Sequence, residues 1–130
     1  MAKILIIDDD PMMRTLIKIV MRPFQHEIIE AEDGAKGISL AISRIPDLII
    51  CDYHMPKING LETLTSIRKE ESLRNTPVII ASTGISKQAE SAYMHLGVYC
   101  CFAKPVDIII VRDSILEVLA KQSHGENNVT

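Results

Sequence analysis

The stretch ILIIDDDP, residues Ile4 to Pro11, decides the architecture. Four consecutive apolar residues, Ile4 to Ile7, read as a strand buried on both faces. The run breaks at once into three acids, Asp8, Asp9 and Asp10. Pro11 suits the first position of a helix, where its missing N–H costs nothing, and Asp10 suits the N-cap before it. Met12, Met13, Leu16, Ile17 and Val20 follow at helical spacing, until Pro23 ends the helix. A buried strand therefore hands over to an amphipathic helix, with carboxylates at the junction.

The same unit repeats outward. A second strand is expected at Glu27 to Ala31, and Asp33-Gly34 turns into a helix with Ile38, Ala41, Ile42 and Ile45, closed before Pro46. Leu48 to Cys51 is a third strand and ends in Asp52. A loop with Pro56, Asn59 and Gly60 leads to a helix through Leu61, Leu64 and Ile67, and Arg68 to Arg74 read as its solvated end and following loop. Pro77 opens a fourth strand, Val78 to Ala81, ending in Ser82, Thr83 and Gly84. Ala89, Ala92, Tyr93 and Leu96 mark the next helix, and Gly97 its stop. The fifth strand, Tyr99 to Ala103, ends in Lys104-Pro105. The last helix buries Ile108, Val111, Ile115, Val118 and Leu119. One domain over residues 1–121 and a polar, frayed tail over 122–130 are expected.

Strands alternating with helices imply an α/β fold, a parallel sheet covered on both faces. Right-handed crossovers leave few topologies. For five strands the doubly wound, flavodoxin-like (βα)5 order 2-1-3-4-5 is the expected one, with a crevice beyond the carboxyl ends of strands 1 and 3.

Composition removes several function classes. At 130 residues the chain has room for one core of ordinary domain size, about 100–150 residues. Its 47% apolar content excludes general disorder. The longest charge-free stretch, Ser91 to Ala103, falls short of the roughly 18 residues of a membrane span. A net charge of −3 argues against direct nucleic-acid binding, which needs clustered Lys and Arg. Cys51, Cys100 and Cys101 are odd in number and lack CxxC spacing, so they read as reduced thiols of a cytoplasmic protein rather than a disulfide frame or zinc site. Met-Ala-Lys enters the first strand without a signal-peptide layout, and Met1 directly before strand 1 favours a native start.

In a parallel sheet all strand C-termini meet one rim. Asp8 and Asp9, Asp52, Ser82 and Lys104 therefore converge there, although any one of them alone would read as a cap or turn residue. Three carboxylates in one crevice repel unless a cation joins them. A hard divalent ion, Mg2+, is the natural neutraliser. Lys104 adds a point charge and Ser82 a hydroxyl. This set suits phosphoryl transfer, in which the protein positions groups and neutralises oxygens, with a carboxylate able to act as nucleophile.

With these residues in place the chain resembles the receiver domain of two-component response regulators, from Lys3 to about Lys121, a single-domain, chemotaxis-regulator-like member. The carrying segments are ILIIDDDPMMR (Ile4 to Arg14), IICDYHMPKINGLE (Ile49 to Glu62), PVIIAST (Pro77 to Thr83) and CFAKPVD (Cys101 to Asp107). The resemblance implies that Asp52 is the phosphoacceptor. It implies that Asp9 ligates magnesium directly, Asp8 through water, and Asp52 and the backbone carbonyl of His54 complete the protein's share. Ser82 would hydrogen-bond the phosphoryl group, Lys104 would pair with it, and the Lys104-Pro105 bond would be cis. A phosphorelay is implied, with a histidine kinase or phosphotransfer protein as donor and a downstream target protein as reader. The domain would promote only its own phosphorylation and dephosphorylation and would not be an enzyme in the usual sense. It would be a cytoplasmic phosphoprotein without membrane contact, a monomer or a weak dimer through helix 4, strand 5 and helix 5. With no output domain in 130 residues, it would act by protein contact or as a relay shuttle.

Two positions depart from that family. Cys101 stands where Tyr or Phe is common, at the switch that pairs with Ser82, and Thr83 where a small residue is usual. Tyr99 is expected to share the Cys101 face and Phe102 the other. Tyr93 or Tyr99 would then supply the missing bulk. Two alternatives stand against the receiver reading. A haloacid-dehalogenase-type phosphatase also begins with strand and Asp-x-Asp, here Asp8 and Asp10, but wants Thr where Met12 stands and an acidic pair where only Asp107 is near. A pseudo-receiver scaffold would never accept phosphate. Flavin binding is disfavoured by the acidic first loop.

Overall fold

Beta-branched runs and amphipathic stretches alternate through the computed structural model, which describes residues 1–128. The strands are β1 (Lys3–Ile7), β2 (Glu27–Ala31), β3 (Leu48–Cys51), β4 (Val78–Ser82) and β5 (Cys100–Ala103). The α-helices are α1 (Pro11–Met21), α2 (Gly34–Arg44), α3 (Gly60–Arg68), α4 (Lys87–His95) and α5 (Ile108–Asn128). All strand pairs are parallel, in the order β2-β1-β3-β4-β5. The doubly wound α/β architecture read from the sequence is the one observed.

The period of two divides the core into layers. Ile4, Ile6, Leu48, Ile50, Ile79 and Ala81 face Met13, Ile17 and Met21 of α1 and Val111, Ile115 and Val118 of α5. Leu5, Ile7, Ile49, Cys51, Val78 and Ile80 face the other way, against Ala41, Leu64, Ile67 and Tyr93. Each Ile or Leu withdrawn from water contributes about 1.5–3 kcal/mol. The three central strands are buried throughout apart from Lys3, which anchors the rim rigidly.

Several side chains lie elsewhere than expected. Met12 is exposed, since α1 buries Met13, Ile17 and Met21 instead. Ile42 and Ile45 are 43% and 49% exposed. The reason is the close approach of α2 to the sheet: a Cβ on Gly37 would stand 2.6 Å from Ile7 Cδ1. Only small residues fit that contact, so Gly37 and Ala41 are buried there, while Gly34 is buried against Ile58 and Thr63. The segment after α3 is not simply solvated. Glu71–Leu73 form a 3-10 turn that buries Leu73. The Arg68 guanidinium donates to the carbonyls of Leu73, Thr76 and Leu96 at 2.8, 2.6 and 2.9 Å. Helix α5 continues past Lys121 to Asn128. The last two residues of the expected tail lie outside the described residues.

Candidate functional site

Four strand ends build the site. Asp8 follows β1 and Asp52 follows β3, with 3% and 6% exposure. Their backbones are pinned by the neighbouring strands, Asp8 N–H donating to Ala31 and Asp52 N–H to Ile7. Arg14, one turn into α1, donates to the main-chain carbonyl of Asp8 at 2.6 Å and to Glu30 at 3.0 Å. It fixes the acidic loop to β2. Arg14 belongs to the first sequence motif, whose spacing gives no sign of this part.

Asp8, Asp9 and Asp52 place carboxylate oxygens within 4.8 Å of one another, with Asp9 on the exposed side. Lys104 Nζ lies 2.8 Å from Asp8 Oδ2 and 3.4 Å from Asp52 Oδ2. Burial raises the Asp8 carboxyl above its ordinary value, and Asp52 adds to the rise, more than Lys104 and the Asp10 amide offset. Burial alone would lower Lys104, but its bond to Asp8 and the field of both acids leave it raised and fully charged. The site is thus short of positive charge. Its oxygen donors are the kind a hard divalent cation takes, so the residues fit magnesium.

Asp10 is not part of this cluster's chemistry. Its carboxylate accepts the Met12 amide at 2.9 Å and caps α1.

Ser82 closes β4, is buried, and its hydroxyl donates to the Thr83 carbonyl at 3.3 Å. The Lys104-Pro105 peptide is cis. His54 is exposed; its amide donates to Asp52 Oδ1 at 3.3 Å, and its imidazole Nε2 lies 2.7 Å from the Thr83 carbonyl. That contact joins the loops after β3 and β4 across the rim, and nothing in the sequence signals it.

Cys101 and Ser82 line a shared hollow of about 310 Å³ with Gly84, Ile85 and Glu90. Tyr99 does not reach it. Strand β5 begins only at Cys100, so the alternation does not extend back to Tyr99. Its ring joins the α1/α5 layer with Cys100 and Phe102, and its hydroxyl bonds Glu117 of α5. Cys101 packs in the opposite layer, with Tyr93.

Comparison with known proteins decides the family. Residues 4–116 match the response regulator receiver domain. The chain belongs to that family. As a receiver domain it is a two-component signalling module. It is 31% identical over 120 residues to protein PilH of Pseudomonas aeruginosa, covering 92% of this chain and 99% of that one. A chemotaxis protein CheY homolog of Campylobacter jejuni is 29% identical over 124 residues, 93% and 95% of the two chains. The nitrate/nitrite response regulator NarL of Escherichia coli is 49% identical over 82 residues, 38% of its length. Among solved structures, a CheY-like receiver domain protein from Methanospirillum hungatei superimposes with a TM-score of 0.88 at 22% identity, covering 96% of this receiver and 98% of that chain. This last likeness is one of fold. No helix among the described residues of the receiver is long and apolar enough to cross a membrane.

Proposed function

We propose that Asp52 of this receiver accepts a phosphoryl group from a phosphohistidine on a histidine kinase or phosphotransfer protein. The observation that carries the reading is the meeting of three carboxylates within 4.8 Å with an ammonium bonded to two of them. An Asp52 carboxylate oxygen attacks phosphorus, the P–N bond breaks, and the leaving imidazole nitrogen keeps the electron pair and takes a proton. Asp52 Oδ1 is oriented by the His54 amide and Oδ2 by Lys104. Lys104 then balances charge on the phosphoryl oxygens, and the Ser82 hydroxyl turns from the Thr83 carbonyl to donate to them. Asp8, Asp9, Asp52 and the His54 carbonyl would hold magnesium, which neutralises phosphoryl oxygens when bound.

The phosphorylated domain changes its affinity for a downstream target protein through α4, β5 and α5, as a monomer or weak dimer in the cytoplasm. It engages neither nucleic acid nor membrane directly, and it turns over no substrate but its own acyl phosphate. The test is intact-mass measurement after incubation with acetyl phosphate and magnesium. One phosphoryl adduct is expected on the wild type and none on Asp52→Asn. A wild type that takes no phosphate from acetyl phosphate or from any histidine kinase of its source genome is instead the scaffold without phosphate chemistry.

A further inference from the structure

Tyr93 carries a buried polar atom that has no partner. Its side chain is fully buried beneath α4, yet among the described residues its hydroxyl is the one buried side-chain polar atom without a hydrogen-bond partner. A buried donor left unmade is costly and rare enough to need a reason.

The reason lies at Gly60. A Cβ built there would stand 2.7 Å from Tyr93 Oη and 2.2 Å from the main-chain oxygen of Asp52. Only a glycine lets the phenol and the Asp52 carbonyl close in on the same point. The hydrogen bond the structure gives that carbonyl comes from the Cys51 thiol at 3.3 Å, and a thiol is a weak donor. A donor without an acceptor and an acceptor with a weak donor therefore stand side by side, and the acceptor belongs to the phosphorylation site itself.

The helix that carries Tyr93 is held unevenly. Arg68 binds the Leu96 carbonyl just beyond its C-terminal end at 2.9 Å. Before its N-terminal end, Gly84 has no atom within 4 Å of where a Cβ would stand. The hollow of about 310 Å³ lined by Ser82, Ile85, Glu90 and Cys101 adjoins that looser end. A small displacement of Tyr93, close to the pinned end, would be enlarged at Ser86.

We propose that Tyr93 is the coupling residue of this receiver: on phosphorylation its hydroxyl donates to the Asp52 carbonyl, and α4 pivots about its Arg68-held end. The coupling runs beneath α4, through the peptide of the acceptor, and does not use an aromatic ring on β5, where this chain has Cys101. It rests on the assignment of Asp52 as acceptor. Tyr93 touches no reacting atom and is a positioning residue.

The test compares the wild-type chain with Tyr93→Phe, which keeps the ring and removes the orphan hydroxyl. Acetyl phosphate labelling should be equal in both, and the metal-free melting temperature of the variant equal or higher. The amide shift changes over Lys87–His95 on adding beryllofluoride and magnesium should fall by more than about half in the variant. A second reading uses 3-fluorotyrosine in the wild type, where Tyr93→Phe assigns one of three fluorine lines. That line should move on beryllofluoride addition. An unchanged α4 response in Tyr93→Phe, or a stationary Tyr93 fluorine, overturns the proposal. Loss of labelling in the wild type overturns the acceptor assignment instead, and the two failures are told apart by the mass spectrum.

Discussion

Lys104 sits 2.8 Å from Asp8 and 3.4 Å from Asp52, so the ammonium from β5 is held more closely by the β1 acid than by the proposed acceptor. Both acids are almost fully buried, and an ion pair broken under such burial leaves a charge without compensation.

Replacing Lys104 should therefore cost stability at the acids as well as chemistry. Lys104→Met should lose about 3 kcal/mol in metal-free buffer at neutral pH, read from urea unfolding midpoints. Magnesium should restore a large part of that loss, since it supplies the missing positive charge. A variant as stable as the wild type without metal would show that the pair contributes nothing.

Asp9 makes the converse case. It adds negative charge to a cluster already short of cations, so Asp9→Asn should melt higher than wild type in EDTA. Magnesium should raise the melting temperature of the wild type by mass action and that of the variant far less. Equal stabilisation of both by magnesium would remove Asp9 from the metal site.

The buried thiols and phenol set the alkaline limit of the fold. Burial pushes Cys51 up, with Asp52 adding to the rise, and pushes Cys100 up to about 11. It also raises Cys101, with Glu90 contributing, and Tyr93, with Cys51 contributing. Each is neutral longer in the folded chain than in the unfolded one. Above pH 9.0, the ordinary thiol value, the unfolded chain releases protons first, so stability present at neutral pH is lost as pH rises. The slope should reach about 1.4 kcal/mol per pH unit for a thiol as buried as Cys51. Cys51→Ala should flatten it in urea midpoints taken between pH 8 and 10; an identical slope in that variant contradicts the assignment.

Strand positions and topology were legible in the sequence because buried parallel strands need β-branched runs, and Ile4–Ile7, Leu48–Cys51 and Val78–Ile80 leave no other reading. The meeting of Asp8, Asp9, Asp52 and Lys104 at one rim follows from the shared direction of parallel strands. Helix faces were less legible. Ile42 and Ile45 look like core residues until Gly37 shows how closely α2 lies on Ile7. Tyr99 looks like part of the alternation of β5, which starts one residue later. Arg68 looks solvated in sequence, yet it collects four carbonyls brought together only by tertiary folding. The orphan hydroxyl of Tyr93 depends on the same kind of long-range packing against Gly60.

Borohydride trapping locates the phosphoryl group proposed on Asp52. The reagent reduces an acyl phosphate to the alcohol, converting the phosphorylated aspartate to homoserine. The receiver would be labelled with acetyl phosphate and magnesium, reduced, digested and sequenced by mass spectrometry. Homoserine is expected at position 52, with Asp8 and Asp9 unmodified. Homoserine at position 8 or 9, with Asp52 intact, would contradict the assignment.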